Sequence, residues 1–306
     1  MPLHESSVTA PATDPGSAPV RAITLDGRGI TLSGLLAEPA SPPRALLVAL
    51  HGGGMRAGYF HGRADPATSL LALAASCGYA ALAVDRPGYG RSATQLPTGM
   101  GLPEQADVVR AALDDYRLSR PCGAGTLLVG HSLGGVVALH ASSRWTGEGL
   151  LGVDVSGIGD QWAPGADQLV GQAGRLSHRM HWGPLALYPP DTFRLADALI
   201  APIPEQESHE ILDWPRLYPE VAPDVRAPVR FTFAEHELWW RSDPETVRAM
   251  LEQLGSPLSW SERLTDAGHN ISLGRTARTY HLRVLAFLEQ CLSLPGAGEP
   301  RAAKHH

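Results

Sequence analysis

Short apolar runs alternate with longer mixed segments along most of the chain, and this alternation gives the first prediction of the fold. Residues 20–25 and 30–37 flank a polar, glycine-containing turn, which predicts a β-hairpin. Six further segments are predicted as strands, most of them apolar throughout and therefore buried on both faces: 45–50, 79–84, 126–129, 150–155, 229–234 and 258–264.

Amphipathic or apolar segments of helical length lie between these strands. In the first of them, Asp65 is placed as the N-cap and Pro66 at the first helical position. Strands that alternate with helices at this spacing form βαβ units, so we predict an α/β fold with a mostly parallel central sheet and helices on both faces. The predicted helices span 65–77, 103–119, 136–145, 244–254 and 275–292.

Residues 157–225 interrupt the alternation. They contain no obvious buried strand, are rich in aromatic residues and prolines, and are predicted to form short helices at 168–180, 191–201 and 205–212. We interpret this segment as a helical cap insert. The division that follows has a disordered N-terminal arm (1–19), a core domain in two parts (20–156 and 226–293) and a flexible tail (294–306).

Composition and charge narrow the class of protein. The 306 residues are 43% hydrophobic and 18% charged, which suits one large α/β domain. A net charge of −6 offers no basic excess for nucleic acid or a membrane surface, so neither is predicted as a partner. The three cysteines, Cys77, Cys122 and Cys291, suggest neither a disulfide framework nor a metal motif. With no secretory signal and no membrane-spanning run, we expect a cytoplasmic protein.

Candidate chemistry centres on Gly130-His131-Ser132-Leu133-Gly134, which directly follows the strand predicted at 126–129 and precedes an apolar helix. A strand, this turn and a helix together form a nucleophile elbow, from which the serine hydroxyl projects. The turn is so tight that a Cβ at either glycine would collide with a neighbouring strand or helix. The N–H groups of the following helix face the reacting centre. We therefore predict Ser132 as a nucleophile.

A serine nucleophile needs a base, and the base needs a charge that orients it. His269 is the best-placed base, because it lies in a glycine-containing loop between the last strand and the last helix. His131, beside the nucleophile, points elsewhere on an elbow turn and is given a structural role.

Four carboxylates are candidates for the acid. Glu237 is preferred because it lies a few residues beyond the strand at 229–234, where a loop can turn it toward the histidine. Glu235 is nearly within that strand and can face the wrong side. Asp243 precedes a proline and is typical of a helix N-cap. Asp160 is the remaining candidate.

A tetrahedral intermediate also needs N–H donors that are already in position. The first predicted donor is the backbone N–H of Leu133. The second is expected from the glycine loop after the strand at 45–50, with Gly53 as the first choice and Gly54 as the second. Gly54 and Met55 are predicted to line the substrate pocket, although core packing explains Met55 equally well.

Two pairs of residues leave alternatives open. Trp239 and Trp240 follow the acid and either form a wall of the pocket or anchor the next helix. His178 and His181 have a spacing that suits a metal pair on a helix, but no cysteine or carboxylate pattern supports them, so no metal is predicted.

These motifs together resemble the α/β-hydrolase superfamily, in its serine esterase and thioesterase branch. The resemblance rests on the elbow, on His51-Gly52-Gly53-Gly54, on residues 85–92 and on Ala267-Gly268-His269, and it covers residues 20–292. The chain order serine, acid, histidine is that of the superfamily. It implies a triad of Ser132, His269 and Glu237, with glutamate where many members carry aspartate. Branches with an aspartate nucleophile do not fit Ser132.

The predicted function is hydrolysis of a carboxylic ester, thioester or lactone through an acyl-enzyme, with a small acyl compound as substrate and no cofactor. One alternative is a non-hydrolytic enzyme of the same fold, a cyclase or lyase that uses the same pocket. Another alternative is a ligand-binding protein without turnover. The complete set of candidate triad residues argues against it.

Overall fold

An eight-stranded sheet forms the centre of the protein. The computed structural model describes residues 19–294 apart from 63, 173 and 197, so nearly all of the predicted arm (1–19) and tail (294–306) lies outside the described residues. The spatial order of the strands is β1-β2-β4-β3-β5-β6-β7-β8. The strands are β1 Arg21–Gly27, β2 Ile30–Ala37, β3 Leu46–Leu50, β4 Ala80–Val84, β5 Thr126–His131, β6 Leu150–Ser156, β7 Val229–His236 and β8 Ser259–Gly268.

The sheet is mostly parallel, which confirms the predicted fold class. β1 and β2 form the predicted antiparallel hairpin, and β2 is also antiparallel to β4. The strands from β4 to the far edge at β8 pair in parallel. Every residue of β3 and β4 is buried, as expected for strands covered on both faces, whereas β1 alternates between exposed and buried positions.

Helices cover both faces of the sheet. Apolar residues of α1 and α9 share one buried cluster with alternate strand residues, and those of α2, α3 and α8 share another on the opposite face. The helices of the described chain are α1 Leu70–Ser76, α2 Leu102–Ser119, α3 Leu133–Ser143, α4 Arg175–Trp182, α5 Thr192–Ala196, α6 Glu205–Glu210, α7 Trp214–Val221, α8 Pro244–Glu252 and α9 Ala277–Ser293.

The helix predicted at 65–77 is two elements. Asp65 caps a short 3-10 turn, Pro66–Thr68, by accepting a hydrogen bond from the N–H of Ala67. Ser69 then adopts extended angles and caps α1, its side chain accepting from Ala72. A second capping residue within the segment therefore restarts the helix four residues after Asp65.

The segment between β6 and β7 is helical in its described part. Gly174, at φ +129°, precedes α4, so the helix predicted at 168–180 begins later than expected. The prediction at 191–201 shortens to α5, and that at 205–212 corresponds to α6 followed by a 3-10 turn. α7 was not predicted, because it contains Pro219.

None of the helices in the described residues combines the length and the apolar character that a bilayer crossing requires.

Candidate active site

Ser132 occupies the sharp turn between β5 and α3. Its backbone angles are φ 51° and ψ −123°, a combination rare outside glycine and worth about 1–3 kcal/mol of strain. The turn is held because the Ser132 N–H donates to the carbonyl of Ser156 at the end of β6, at 2.8 Å. The carbonyl of Ser132 in turn accepts from Gly135 at 2.7 Å. The elbow is therefore fixed by backbone hydrogen bonds on both sides of the serine.

The two glycines of the elbow are required by close backbone approach. A Cβ on Gly130 would lie 2.5 Å from the carbonyl oxygen of Gly134. A Cβ on Gly134 would lie 2.1 Å from the carbonyl oxygen of Leu50, on the adjacent strand. Both distances are far below van der Waals contact, so any side chain would push α3 away from the sheet. This is the steric reason predicted from the sequence.

His269 and Glu237 are in direct contact. The imidazole Nδ1 lies 2.9 Å from Oε2 and 3.1 Å from Oε1 of the carboxylate, and both residues are buried. A carboxylate can only accept, so Nδ1–H donates to it and Nε2 is left as an acceptor. The backbone N–H groups of Leu238 and Trp239 also donate to Oε1, at 3.1 and 3.0 Å, and fix the orientation of the carboxylate.

The three other candidate acids have different partners. Glu235 accepts from the backbone N–H of Asp266 at 2.8 Å. Asp243 caps α8 by accepting from the N–H of Thr246 at 3.0 Å, as predicted. Asp160 accepts from the side chain of Gln253 at 3.4 Å. Of the four carboxylates, Glu237 is therefore the one that the fold brings to His269.

Ser132 and His269 line the same cleft. Within the described residues the serine hydroxyl has no hydrogen-bond partner, so it is free for a substrate and for the imidazole. Nucleophile–base contacts are commonly loose before substrate binds and shorten in the complex.

His131 supports this arrangement from behind. Its ring stacks on Tyr59 at 4.7 Å between centroids and lies 4.9 Å from the ring of His269. Its Nδ1 contacts the hydroxyl of Ser156 at 3.1 Å. Burial, followed by the neighbouring His269, lowers the pKa of His131 well below its usual range, so the ring is neutral. It therefore packs as an uncharged spacer, in line with its predicted structural role.

The two predicted oxyanion donors, Gly53 and Leu133, lie on adjoining segments. Within the described chain, the N–H groups of Gly53 and Leu133 have no acceptor. The N–H of Gly54 is already used, because it donates to the hydroxyl of Tyr89 at 3.1 Å. A Cβ on Gly53 would lie 3.2 Å from Cδ1 of Leu133, so the glycine loop and the elbow adjoin. This geometry favours Gly53 over Gly54 as the second donor.

The cleft has an aromatic wall. Trp162 and Trp240 stack at 3.9 Å between centroids, and Trp239 packs beside them. Trp239 and Trp240 therefore form a wall of the cleft. Met55 differs from its predicted pocket role, because its side chain is buried in the core cluster beneath α1 and α9. Among the residues that the structure describes, the lining comprises Ser132, Leu133, Trp162, Val170, Gly171, His181, Ile203, Ser208, Ile211, Trp239, Trp240 and His269.

Gly54 also lies outside that lining, but it contacts one of its members. A Cβ on Gly54 would lie 3.1 Å from Cγ1 of Ile203, and the positive φ of Gly54, 71°, disfavours any side chain there. The glycine thus shapes the edge of the cleft through Ile203.

A buried ionic network behind the glycine loop was not predicted. Arg86, which follows β4, binds Glu207 of α6 at 2.7 and 3.1 Å, and neither side chain is exposed. The hydroxyl of Tyr89 donates to Glu207 at 2.7 Å while accepting from Gly54. Arg86 also donates to the carbonyl of His51 at 2.7 Å. The segment that contains α6 is thus joined to the glycine loop that follows β3.

The pKa of Arg86 reflects this network. Burial opposes the charge, but the carboxylate of Glu207 and the hydroxyl of Tyr89 outweigh burial and raise the pKa of Arg86. The guanidinium is therefore charged and depends on its carboxylate partner.

The sequence profile of the Alpha/beta hydrolase family matches residues 47–281. The chain belongs to the α/β-hydrolase family. The resemblance seen in the sequence is thereby confirmed. No curated protein matches this α/β-hydrolase.

Solved structures share the fold of this α/β-hydrolase at low sequence identity. A thermostable carboxyl esterase from Bacillus coagulans superposes with a TM-score of 0.65 at 16% identity, covering 89% of this chain and 99% of the esterase. An enol-lactonase from Burkholderia xenovorans has a TM-score of 0.62 at 14% identity, covering 87% and 100%. A proline iminopeptidase from Mycobacterium smegmatis has a TM-score of 0.59 at 19% identity, covering 89% and 98%.

The contact between Glu237 and His269 leads to a matched test of the acid. Glu237→Gln is expected to lower kcat about 10⁴-fold, because an amide cannot hold the imidazole in the tautomer that accepts at Nε2. Glu235→Gln keeps an oxygen for the N–H of Asp266 and is expected to change kcat by less than about threefold. Steady-state rates on one activated ester compare the two variants. Equal losses, or a larger loss for Glu235→Gln, would rule out the assignment.

Proposed function

We propose that this α/β-hydrolase cleaves an uncharged carboxylic ester, thioester or lactone through an acyl-enzyme on Ser132. The observation that carries the proposal is the contact between His269 Nδ1 and Glu237 beside the cleft that Ser132 lines. This contact leaves Nε2 free to take the proton of a serine hydroxyl. The small acyl substrate is the partner that the cleft would bind.

The proposed steps use only residues of the chain and water. The Ser132 oxygen attacks the carbonyl carbon while its proton passes to His269 Nε2. The N–H groups of Gly53 and Leu133 stabilise the resulting oxyanion. The bond to the leaving oxygen or sulfur breaks, and His269 returns the proton to the leaving group. Water then repeats the sequence on the acyl-serine and releases the acid, with Glu237 stabilising the imidazolium in both halves.

The character of the cleft supports a neutral substrate. Its lining within the described residues contains tryptophan and aliphatic side chains but no aspartate, glutamate, lysine or arginine. A charged substrate group would be desolvated there without an opposite charge, at a cost of several kcal/mol. A carboxyl esterase and an enol-lactonase are among the proteins that share the fold, and their names agree with this class.

A partition experiment tests the acyl-enzyme. Phenyl and p-nitrophenyl butanoate carry the same acyl group, so each should give the same butanoyl-Ser132 intermediate. In buffer with methanol, we expect both esters to yield methyl butanoate and butanoic acid in one common ratio, because the leaving group has departed before partition. A ratio that depends on the leaving group would contradict the intermediate. A cyclase or lyase would form neither product.

A further inference from the structure

His181 is an imidazole in the cleft that the proposed acyl transfer does not use. It lies near the C-terminal end of α4, and its ring is 6.1 Å from the ring of His269 and 4.9 Å from that of Trp239. It lines the cleft together with Ser132. A polar ring therefore lies close to His269, the proposed base, and could contact a substrate group a few bonds from the reacting carbonyl.

The backbone of His181 has a hydrogen-bond partner, whereas its ring nitrogens have none among the described residues. The side-chain amide of Asn270, the residue after His269, donates to the carbonyl of His181 at 3.1 Å. The ring nitrogens have no hydrogen-bond partner among the described residues. Burial, and then the nearby His269 and His178, lower the pKa of His181 to about 3. The ring is thus neutral and brings one N–H donor and one acceptor nitrogen to the lining of the cleft.

One other side chain adds polarity to this wall. Ser208, on α6, lines the cleft, and its hydroxyl has no partner within the described chain. Apart from Ser132 and His269, the remaining side chains of the lining are tryptophan, leucine, isoleucine and valine. A polar group that lacks a partner in such surroundings favours ligands that supply one, because an unmatched analogue leaves it unsatisfied.

We propose that His181 selects substrates that carry an uncharged hydroxyl or keto oxygen a few bonds from the scissile carbonyl, on an otherwise apolar body. This inference rests on the acyl transfer proposed above and specifies its substrate class. His181 acts here as a specificity residue and leaves the proton transfers to His269. The aromatic wall of Trp162, Trp239 and Trp240 would hold the apolar body of the same substrate.

Matched esters that exchange a hydroxyl for a methyl group test this selection. On the acyl side the pair is phenyl β-hydroxybutanoate and phenyl β-methylbutanoate. On the alcohol side the pair is β-hydroxypropyl benzoate and isobutyl benzoate. The ratio of kcat/KM within each pair is measured for the wild-type protein and for each variant. Damage to the fold lowers both members equally and leaves the ratio unchanged.

Substitutions of His181, with a control at His178, separate the contribution of the ring nitrogens from that of the rest of the side chain. His181→Phe fills the site without donor or acceptor and should lower the hydroxyl-to-methyl ratio roughly 10- to 100-fold in at least one pair. His181→Gln keeps a donor and an acceptor and should restore much of the ratio. His178→Leu, on the exposed face of the same helix, should leave the ratio within about twofold of wild type. His181→Leu serves as a second apolar variant if the phenylalanine variant does not fold.

The outcomes distinguish this inference from the proposed function. A ratio in the apolar variants within about twofold of wild type for both pairs would overturn the role of His181, even if the esters are hydrolysed. Failure of the wild-type protein to form the common acyl-enzyme would overturn the proposed function itself. A drop in the ratio that glutamine restores supports the assignment.

Discussion

Replacing Ser132 with alanine is expected to lower kcat for ester hydrolysis by roughly 10⁴- to 10⁶-fold. The variant keeps the free N–H groups of the glycine loop and the elbow, so a small residual rate from binding and oxyanion stabilisation should persist. It should fold normally, because the Ser132 hydroxyl has no hydrogen-bond partner among the described residues to lose. Alanine also keeps the Cβ that the elbow already accommodates at φ 51°.

The matched control for this prediction is Ser143→Ala. Ser143 is the last residue of α3, the helix that begins directly after Ser132. Its hydroxyl donates to the carbonyl of His140, away from the cleft. Its kcat should stay within about twofold of wild type. Circular dichroism melts of both variants establish that they are folded. Turnover by folded Ser132→Ala within tenfold of wild type would exclude Ser132 as the nucleophile.

Removing the carboxylate of Glu207 is expected to have the largest effect on stability. Glu207→Ala should lower the free energy of unfolding by about 3–5 kcal/mol, because it leaves the fully buried guanidinium of Arg86 without its opposite charge. The same change removes the acceptor of the Tyr89 hydroxyl, which in turn holds the N–H of Gly54. Urea denaturation followed by tryptophan fluorescence measures the change.

The control for this stability effect lies on the same short helix. Glu205 is exposed in the first turn of α6, and Glu205→Ala should change the free energy of unfolding by no more than about 0.5 kcal/mol. A loss below about 1 kcal/mol for Glu207→Ala would show that the buried pair is not needed to neutralise Arg86. The two glutamates lie on the same short helix, so the expected contrast arises because Glu207 is buried against Arg86 whereas Glu205 is exposed.

The central strands could be predicted from the sequence because burial on both faces leaves no polar positions. β3 and β4 are each buried throughout and appear as continuous apolar runs with clear ends. β8, at the edge, is partly exposed and carries charged residues such as Glu262 and Arg263. Its end is therefore not marked by an apolar run, and the strand continues to Gly268, beyond the 258–264 predicted. The unpredicted α7 depends on packing of Trp214 and Tyr218, which outweighs the penalty of Pro219.

Some residues of the candidate site could be predicted from local sequence patterns, and others depend on contacts between distant segments. Ser132, Glu237 and His269 each follow a strand end, so the topology of a parallel sheet predicts that they approach one another. The contact between Arg86 and Glu207 joins residues 121 positions apart, on segments with no shared pattern. The sequence indicates His181 only as half of a possible metal pair, because nothing local to α4 indicates that its ring packs against Trp239 and lines the cleft.

The site of covalent reaction with a fluorophosphonate shows most directly whether Ser132 is the nucleophile. Such a reagent reacts with an activated serine and leaves a stable phosphonyl ester, whose position peptide mass spectrometry identifies. We predict a single adduct on Ser132 in the wild-type protein, with turnover lost in proportion to labelling. Ser132→Ala should take up none. An adduct on a different residue, or complete turnover by protein labelled at Ser132, would exclude Ser132 as the nucleophile.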